Sequence, residues 1–356
     1  MTEPWASNTT LDEIARWLKP MKSVVLVTHG KPDGDALGST LAVARALNIA
    51  AGGSAAGFSG VASRAEAWYT GPMPGWWRSV ARDTKTRLID EHNPPPGAHE
   101  PDAVMVLDTG AWSQLAGYRP WLDAQHDRAV LIDHHLNGDG DVARMRLVDK
   151  SAAAACEIVA GLCARLIGVD SPASLPVEVA EPLYLGIATD TGWFRHSNVN
   201  PRVLRLAADL LETGVEHERF YEMVEQRERA GRLRLLARAL NSLELHDDDR
   251  VAIISLRQND FEKAGAAPGE SGGFLDLIKT VESVRVAVLL TEIDTADGVV
   301  TKVSFRSKGG PDLVDVNKIA MSLGGGGHAQ AAGARFAGVR LDEARARVLR
   351  ALGVAA

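Results

Sequence analysis

Cysteine is scarce, with two residues in a chain of 356. Two thiols cannot staple a chain of this length, and they fall short of a tetrahedral zinc site built mainly on Cys. Cys156 and Cys163 lie seven apart in an Ala-rich helical stretch, so they share a face and are expected to be buried as small hydrophobes. Long apolar runs are missing too. The longest uncharged stretch, Ala46 to Ser63, carries four glycines and three serines and reads as a helix end followed by a loop, not a membrane span. Positive charge is in deficit, with 39 Lys and Arg against 46 Asp and Glu, a net charge of −7. That balance argues against wrapping long nucleic acid through its phosphates, and leaves room for a short anion held by metal ions. The opening Met1-Thr-Glu-Pro-Trp-Ala-Ser lacks the basic-then-apolar pattern of a secretion signal, so a soluble, cytoplasmic protein is expected.

What is present is an ordinary globular mixture, 46% hydrophobic and 24% charged, with length for two domains. Thr10 to Glu13 forms a capping box that opens an amphipathic helix ending at Pro20. Three short apolar runs follow: Val24–Val27, Val104–Leu107 and Val130–Ile132. Their alternation with helical patterns, including one from about Ala36 to Asn48, predicts a parallel sheet covered on both faces. Ligands of such sheets gather at the carboxyl ends of the strands, and all three runs are followed by His or Asp.

Helical patterns dominate from Ser151 to about Leu211, and the charged stretch 213–246 suits a helical linker. Strand-like runs at 251–256, 284–292 and 299–306 alternate with helical patterns near 273–281, 315–323 and 341–352. Asp297-Gly298 signals a hairpin between two of them. The predicted fold is therefore α/β: a parallel-sheet domain over 1–212, a helical linker over 213–246 and a smaller α/β domain over 247–356. Residues 51–100, with three tryptophans and Pro94-Pro-Pro96, are expected to hold one strand, a helix and a long surface loop.

Five constellations carry chemistry. In His29-Gly-Lys-Pro-Asp33-Gly-Asp35, one imidazole and two carboxylates fall within seven residues, a mixed N/O set suited to Mn²⁺ or Mg²⁺. Gly38 and Ser39 are expected to start the next helix, where free N–H groups favour anions. The same residues also suit turn and cap chemistry. Asp108 follows a buried strand, and its position also suits a cap. Asp133-His134-His135 offers a ligand, a general acid or phosphate donor, and an orienting carboxylate. The stretch Ala188 to Asn198 supplies Asp190, with Arg195 and Asn198 able to hold a phosphate or base. Finally, Gly324-Gly-Gly-Gly-His328 exposes backbone N–H groups to a phosphate, with Arg306 and Ser307 ending a strand-like run upstream.

This order of motifs resembles the DHH phosphoesterase superfamily over residues 20 to 340. Asp133-His134-His135 stands as the signature triplet, and Arg306, Asp315-Val-Asn-Lys-Ile-Ala and Gly324 to Gly333 resemble the DHH-associated C-terminal domain. Within it the chain resembles the bacterial NrnA-type enzymes, which cut oligoribonucleotides of a few residues and often dephosphorylate 3′-phosphoadenosine 5′-phosphate (pAp). The resemblance implies two Mn²⁺ ions, with Mg²⁺ as the alternative. One would be held by His29, Asp33 and Asp108, the other by Asp35, Asp108, His134 and Asp190. His135 would contact the phosphate or assist the leaving group, and Asp133 would orient the histidines. Arg306, Ser307, Gly325, Gly326, Gly327 and His328 would bind the terminal phosphate or nucleotide, with Arg195 and Asn198 assisting. Short RNA and pAp are the implied substrates, no membrane is involved, and relatives are often homodimers. The competing readings are a single-strand DNA exonuclease, a hydrolase of cyclic dinucleotides or their linear products, and a binding protein that has lost its chemistry.

Overall fold

The computed structural model describes residues 4–52, 63–90, 95 and 100–354. They form two compact units divided between Gln226 and Arg227.

The first unit contains, in chain order, α1 (Leu11–Leu18), β1 (Val24–Val27), α2 (Gly34–Ala50), β2 (Ala65–Thr70), α3 (Trp77–Ala81), β3 (Thr86–Ile89), β4 (Ala103–Leu107), α4 (Arg119–Asp123), β5 (Ala129–Asp133), β6 (Met145–Val148), α5 (Ala155–Ile167), α6 (Val177–Asp190), α7 (Pro201–Glu212) and α8 (His217–Glu225). Its six strands run parallel in the order β3-β2-β1-β4-β5-β6. Both faces are covered, as the uninterrupted apolar runs demand. Alternate side chains from the strands, such as Leu26, Met105 and Ile132, join α1, α2, α5 and α6 in one core. Val25, Val104 and Leu131 join Trp68, Tyr118 and Trp121 in the other. The Thr10 capping box forms, and Cys156 and Cys163 are both buried.

Two expectations are corrected in this unit. The described residues of 51–100 hold two strands, β2 and β3, where one was expected. β3 has four residues, three of them partly or fully exposed, too short and polar to register as an apolar run. The loop expected after Ala50, and much of the Pro94-Pro-Pro96 segment, lie outside the described residues. Gly38 and Ser39 do not start a helix. Asp33 is the N-cap of α2, so they sit buried in its second turn with their N–H groups inside the helix. Gly38 instead permits close helix packing: a Cβ there would lie 2.3 Å from the Pro182 carbonyl and 2.9 Å from Cys156 Sγ. Gly34 likewise abuts Thr189, and Gly186 abuts Cys156. These glycines let α2, α5 and α6 converge.

The second unit contains α9 (Ala230–Asn241), β7 (Glu244–His246), β8 (Val251–Leu256), α10 (Gln258–Ala264), α11 (Phe274–Ile278), β9 (Val286–Thr295), β10 (Gly298–Ser307), α12 (Val316–Ser322), β11 (Gly326–His328), β12 (Ala331–Ala337) and α13 (Leu341–Leu352). Its mixed sheet runs β11-β12-β10-β9-β8-β7, and the Asp297-Gly298 signal marks the β9–β10 hairpin. The stretch 213–246 forms α8, α9 and β7, with α8 in the first unit and α9 in the second.

Candidate metal centre

The order β3-β2-β1-β4-β5-β6 reverses direction between β1 and β4, and a doubly wound sheet opens a crevice at such a point. The chemistry collects there. His29 lies two residues past β1, Asp108 immediately past β4, and Asp133 ends β5 with His134 and His135 following. The first turn of α2 contributes Asp35, its cap contributes Asp33, and the last residue of α6 is Asp190.

Asp108 is at the centre. Its Oδ2 lies 3.5 Å from His29 Nε2 and its Oδ1 lies 3.4 Å from His134 Nε2. His29 Nε2 also lies 3.8 Å from Asp33 Oδ1. His134 Nε2 lies 3.8 Å from Asp35 and 3.7 Å from Asp190. The donors therefore fall into three groups among the described residues: His29, Asp33 and Asp108 around one point, Asp35, His134 and Asp190 around another, and Asp108, Asp133, His134 and His135 overlapping both.

The donor atoms are aimed. His29 Nδ1 lies 3.0 Å from the Gly30 carbonyl and His134 Nδ1 lies 3.4 Å from the Ala152 carbonyl. A backbone carbonyl on Nδ1 is how proteins orient a metal-binding imidazole, leaving Nε2 as the donor. Asp35 is cradled by the start of α5, accepting from the N–H groups of Ala155 (2.6 Å) and Cys156 (2.9 Å). Asp108 adopts a left-handed φ of 61°, a conformation costing on the order of 1 kcal/mol for a non-glycine residue. Its Oδ1 is buried and accepts no hydrogen bond among the described residues.

The charges are equally telling. Burial opposes a charge on His29, but Asp108 and Asp33 outweigh it and raise its pKa to about 10. His134 is raised to about 10 in the same way, against its burial, by Asp108, Asp35 and Asp190. Burial lifts Asp190 to about 6, and burial followed by the charges of Asp108 and Asp190 lifts Asp35 well above the usual carboxylate range. Burial also penalises the Asp108 charge, yet His134 and His29 hold its pKa below the usual value. Four carboxylates converge on a small volume that only bound protons neutralise in the free protein. An orphaned buried oxygen, two aimed imidazoles and crowded carboxylates fit a pair of divalent cations with mixed N/O ligands.

His135 is placed differently. Its Nδ1 bonds Asp133 Oδ1 at 2.7 Å, and that oxygen also accepts the backbone N–H groups of His134 and His135. The hydrogen bond to Asp133 raises the His135 pKa despite partial burial. The ring is half-exposed, leaving Nε2 to meet an incoming group.

Of the other sequence-expected residues, Asn198 uses its amide to bridge the carbonyls of Ala153 (3.0 Å) and Asp190 (3.3 Å). Arg195 is exposed, and its Nε bonds the Gly192 carbonyl. Both belong to a loop that borders a cavity of about 510 Å³ lined in part by Lys31, Asp33, Trp76, Trp193, Arg195 and His196. Sequence reasoning missed Trp76, Trp193 and Lys31 as lining residues. Trp193 stood inside a motif already singled out, whereas nothing in the spacing pointed to Trp76.

In the second unit, Arg306 pairs across the sheet with Ala331, and Ala331 pairs with His328. Directly paired residues share a face, so Arg306 and His328 point the same way with only an alanine between them. Ser307 alternates to the opposite face and is buried. The glycine run is not an open loop. Gly326 to His328 form edge strand β11, and a Cβ on Gly325 or Gly327 would fall 2.0 or 2.5 Å from a carbonyl of β12.

The DHH family N-terminal domain matches residues 23–187, and the DHHA1 domain matches residues 248–353. A bifunctional oligoribonuclease and PAP phosphatase NrnA of Thermus thermophilus is 34% identical over 95% of this chain and 92% of its own length. The chain belongs to the DHH family. A protein of the same description from Bacillus subtilis is 24% identical over 90% of this chain and 92% of its own. The crystal structure of an exopolyphosphatase-related protein from Bacteroides fragilis superposes with a TM-score of 0.76 at 26% identity, covering 96% of this chain and 95% of that one. In this DHH-family chain the candidate metal centre lies within the stretch matched by the N-terminal domain, except for Asp190 three residues past its end, and Arg306 and His328 lie within the stretch matched by the DHHA1 domain.

Proposed function

We propose that the chain is a Mn²⁺-dependent phosphoesterase that hydrolyses short oligoribonucleotides to mononucleotides and pAp to AMP and phosphate. The observation that carries this reading is Asp108, set at the switch point with His29 on one oxygen and His134 on the other. The relatives named as bifunctional oligoribonucleases and PAP phosphatases, spanning nearly the whole chain, supply the substrate class.

In this reading His29, Asp33 and Asp108 hold one cation, and Asp35, Asp108, His134 and Asp190 hold the other. Such a pair lowers the pKa of water and neutralises charge on the phosphoryl group. His135, its Nδ1 anchored on Asp133, presents Nε2 to the phosphate or the leaving oxygen, and Asp133 orients the ring from behind. Trp76 and Trp193 offer aromatic surface to a base beside the reacting phosphate, and Lys31 and Arg195 supply positive charge there. Arg306 and His328 of the DHHA1 unit take the terminal phosphate, with Gly326 and Gly327 of edge strand β11 letting it approach the backbone. In this reading the first unit is the catalytic domain and the second the substrate domain of a cytoplasmic enzyme, with the charged stretch 213–246 running from one to the other.

The test is a product assay with Mn²⁺, offering an RNA dinucleotide, a long RNA, a long DNA and pAp in parallel. Rapid release of mononucleotide from the dinucleotide and of phosphate from pAp, with slow attack on both long strands, is the expected result. Faster attack on the long DNA would replace this reading with an exonuclease.

A further inference from the structure

The segment ahead of α1 does something that neither the metal ligands nor the substrate residues account for. Residues 7 and 8 lie along edge strand β6. Asn8 bonds the backbone of Arg144 and Arg146, and Ser7 bonds both backbone groups of Val148. This anchoring delivers Trp5 to the two loops that carry the metal centre's residues. Its Nε1 donates to the His135 carbonyl at 3.0 Å. Its six-membered ring fills a slot between Gly110, two residues past Asp108, and Gly138, three past His135. A Cβ on Gly110 would fall 1.9 Å from Trp5 Cη2, and one on Gly138 2.6 Å from the same atom. Neither glycine has a left-handed φ. Their lack of a side chain makes room for the indole and serves no turn.

The two loops are also tied to each other at this spot. The Asp139 N–H donates to the Gly110 carbonyl at 2.7 Å, and Asp139 Oδ2 accepts from the Trp112 N–H at 2.8 Å. Asp108 needs such support, because its left-handed backbone persists only where the surroundings over-determine it.

We propose that Trp5 is a positioning residue for the metal centre, a wedge that locks the Asp108 and His134–His135 loops into one arrangement. The inference rests on the metal-centre reading for its effect on activity, but the locking itself is measurable without metal. Amide hydrogen exchange is followed on the metal-free full chain for the wild type, Trp5→Ala, Trp5→Phe and Gly138→Ala, with Mn²⁺ titration and steady-state kinetics on the same proteins. Removing one hydrogen bond and its wedge is expected to speed exchange across 108–112 and 134–139 by about tenfold. Exchange in strands β1 and β4 should not change. Mn²⁺ affinity should fall by a similar factor, and kcat should drop more than KM rises. Trp5→Phe, which keeps a ring in the slot, should recover most of the loop protection. Gly138→Ala should reproduce the loosening alone, yet add nothing in the Trp5→Ala background, because the slot is then empty.

Unchanged exchange in the two loops, or a loss spread evenly over the first unit, would overturn the proposal. Should Trp5→Ala not fold, Trp5→Phe and Gly138→Ala carry the comparison. A wild-type protein that binds no Mn²⁺ would defeat the functional reading, while loop exchange would still decide the role of Trp5.

Discussion

At the scale of single residues Asp108 is decisive, because among the described residues it is the one donor that faces both His29 and His134. Asparagine tolerates its left-handed backbone and nearly preserves its shape, so Asp108→Asn removes charge without adding strain. The variant should fold normally, bind fewer than two cations by calorimetry, and lose turnover by about a thousandfold or more. Near-normal turnover would remove Asp108 from the centre. The same residues set a pH dependence. In the free protein His29 and His134, raised to about 10, carry protons at neutrality, and cations must displace them. Metal affinity should therefore rise with pH between 6 and 10, and calorimetry in buffers of different ionisation enthalpy should record proton release. Stability of the metal-free protein runs the other way. A histidine whose folded pKa exceeds its unfolded value of about 6.5 stabilises fully below that value, and the effect fades as pH rises through 10. Chelated protein should consequently melt at lower temperature at pH 10 than at pH 7, and saturating Mn²⁺ should lessen the difference.

At the scale of elements, legibility followed the strength of the local pattern. Strands β1, β4 and β5 were readable because each is a short, fully buried apolar run ending in His or Asp, and the Thr10 capping box announced α1. β3 was not, since four residues, three of them partly or fully exposed, owe their strand state to pairing with β2, a tertiary effect. The glycine run hides a strand for a related reason: Gly325 and Gly327 lack side chains where the chain lies against the backbone of β12. Gly38 looked like an anion-binding turn, and only the crossing of α2 with α6 reveals why it lacks a side chain. Gly38→Ala tests that crossing. Alanine raises helix propensity by about 1 kcal/mol, but its Cβ would fall 2.3 Å from a backbone carbonyl that cannot swing aside. The net result should be a loss of about 1–3 kcal/mol in urea unfolding. Because α2 and α6 also deliver Asp35 and Asp190, metal affinity should fall with stability. A neutral or stabilising outcome would mean that the helices separate without cost.

For the whole molecule, the division of labour between the two units makes a prediction that neither makes alone. Every group that converges on Asp108 belongs to the first unit, whereas Arg306 and His328 share a sheet face in the second. Arg306→Ala should therefore raise KM for pAp and for an RNA dinucleotide by about tenfold to a hundredfold, the cost of losing a charged hydrogen bond to phosphate. It should leave Mn²⁺ stoichiometry and affinity unchanged. Arg306→Lys keeps the charge but not the planar fork, so its KM should fall between the two. The net charge of −7 adds a second reading of the same experiment. With few phosphates engaged, KM should depend only weakly on salt, and in Arg306→Ala the slope of its logarithm against that of salt should shrink by about one contact's share. Unchanged KM with an unchanged slope would mean that the DHHA1 unit does not meet the substrate phosphate through this arginine. Loss of Mn²⁺ in the variant would mean that the two units are not separable in function.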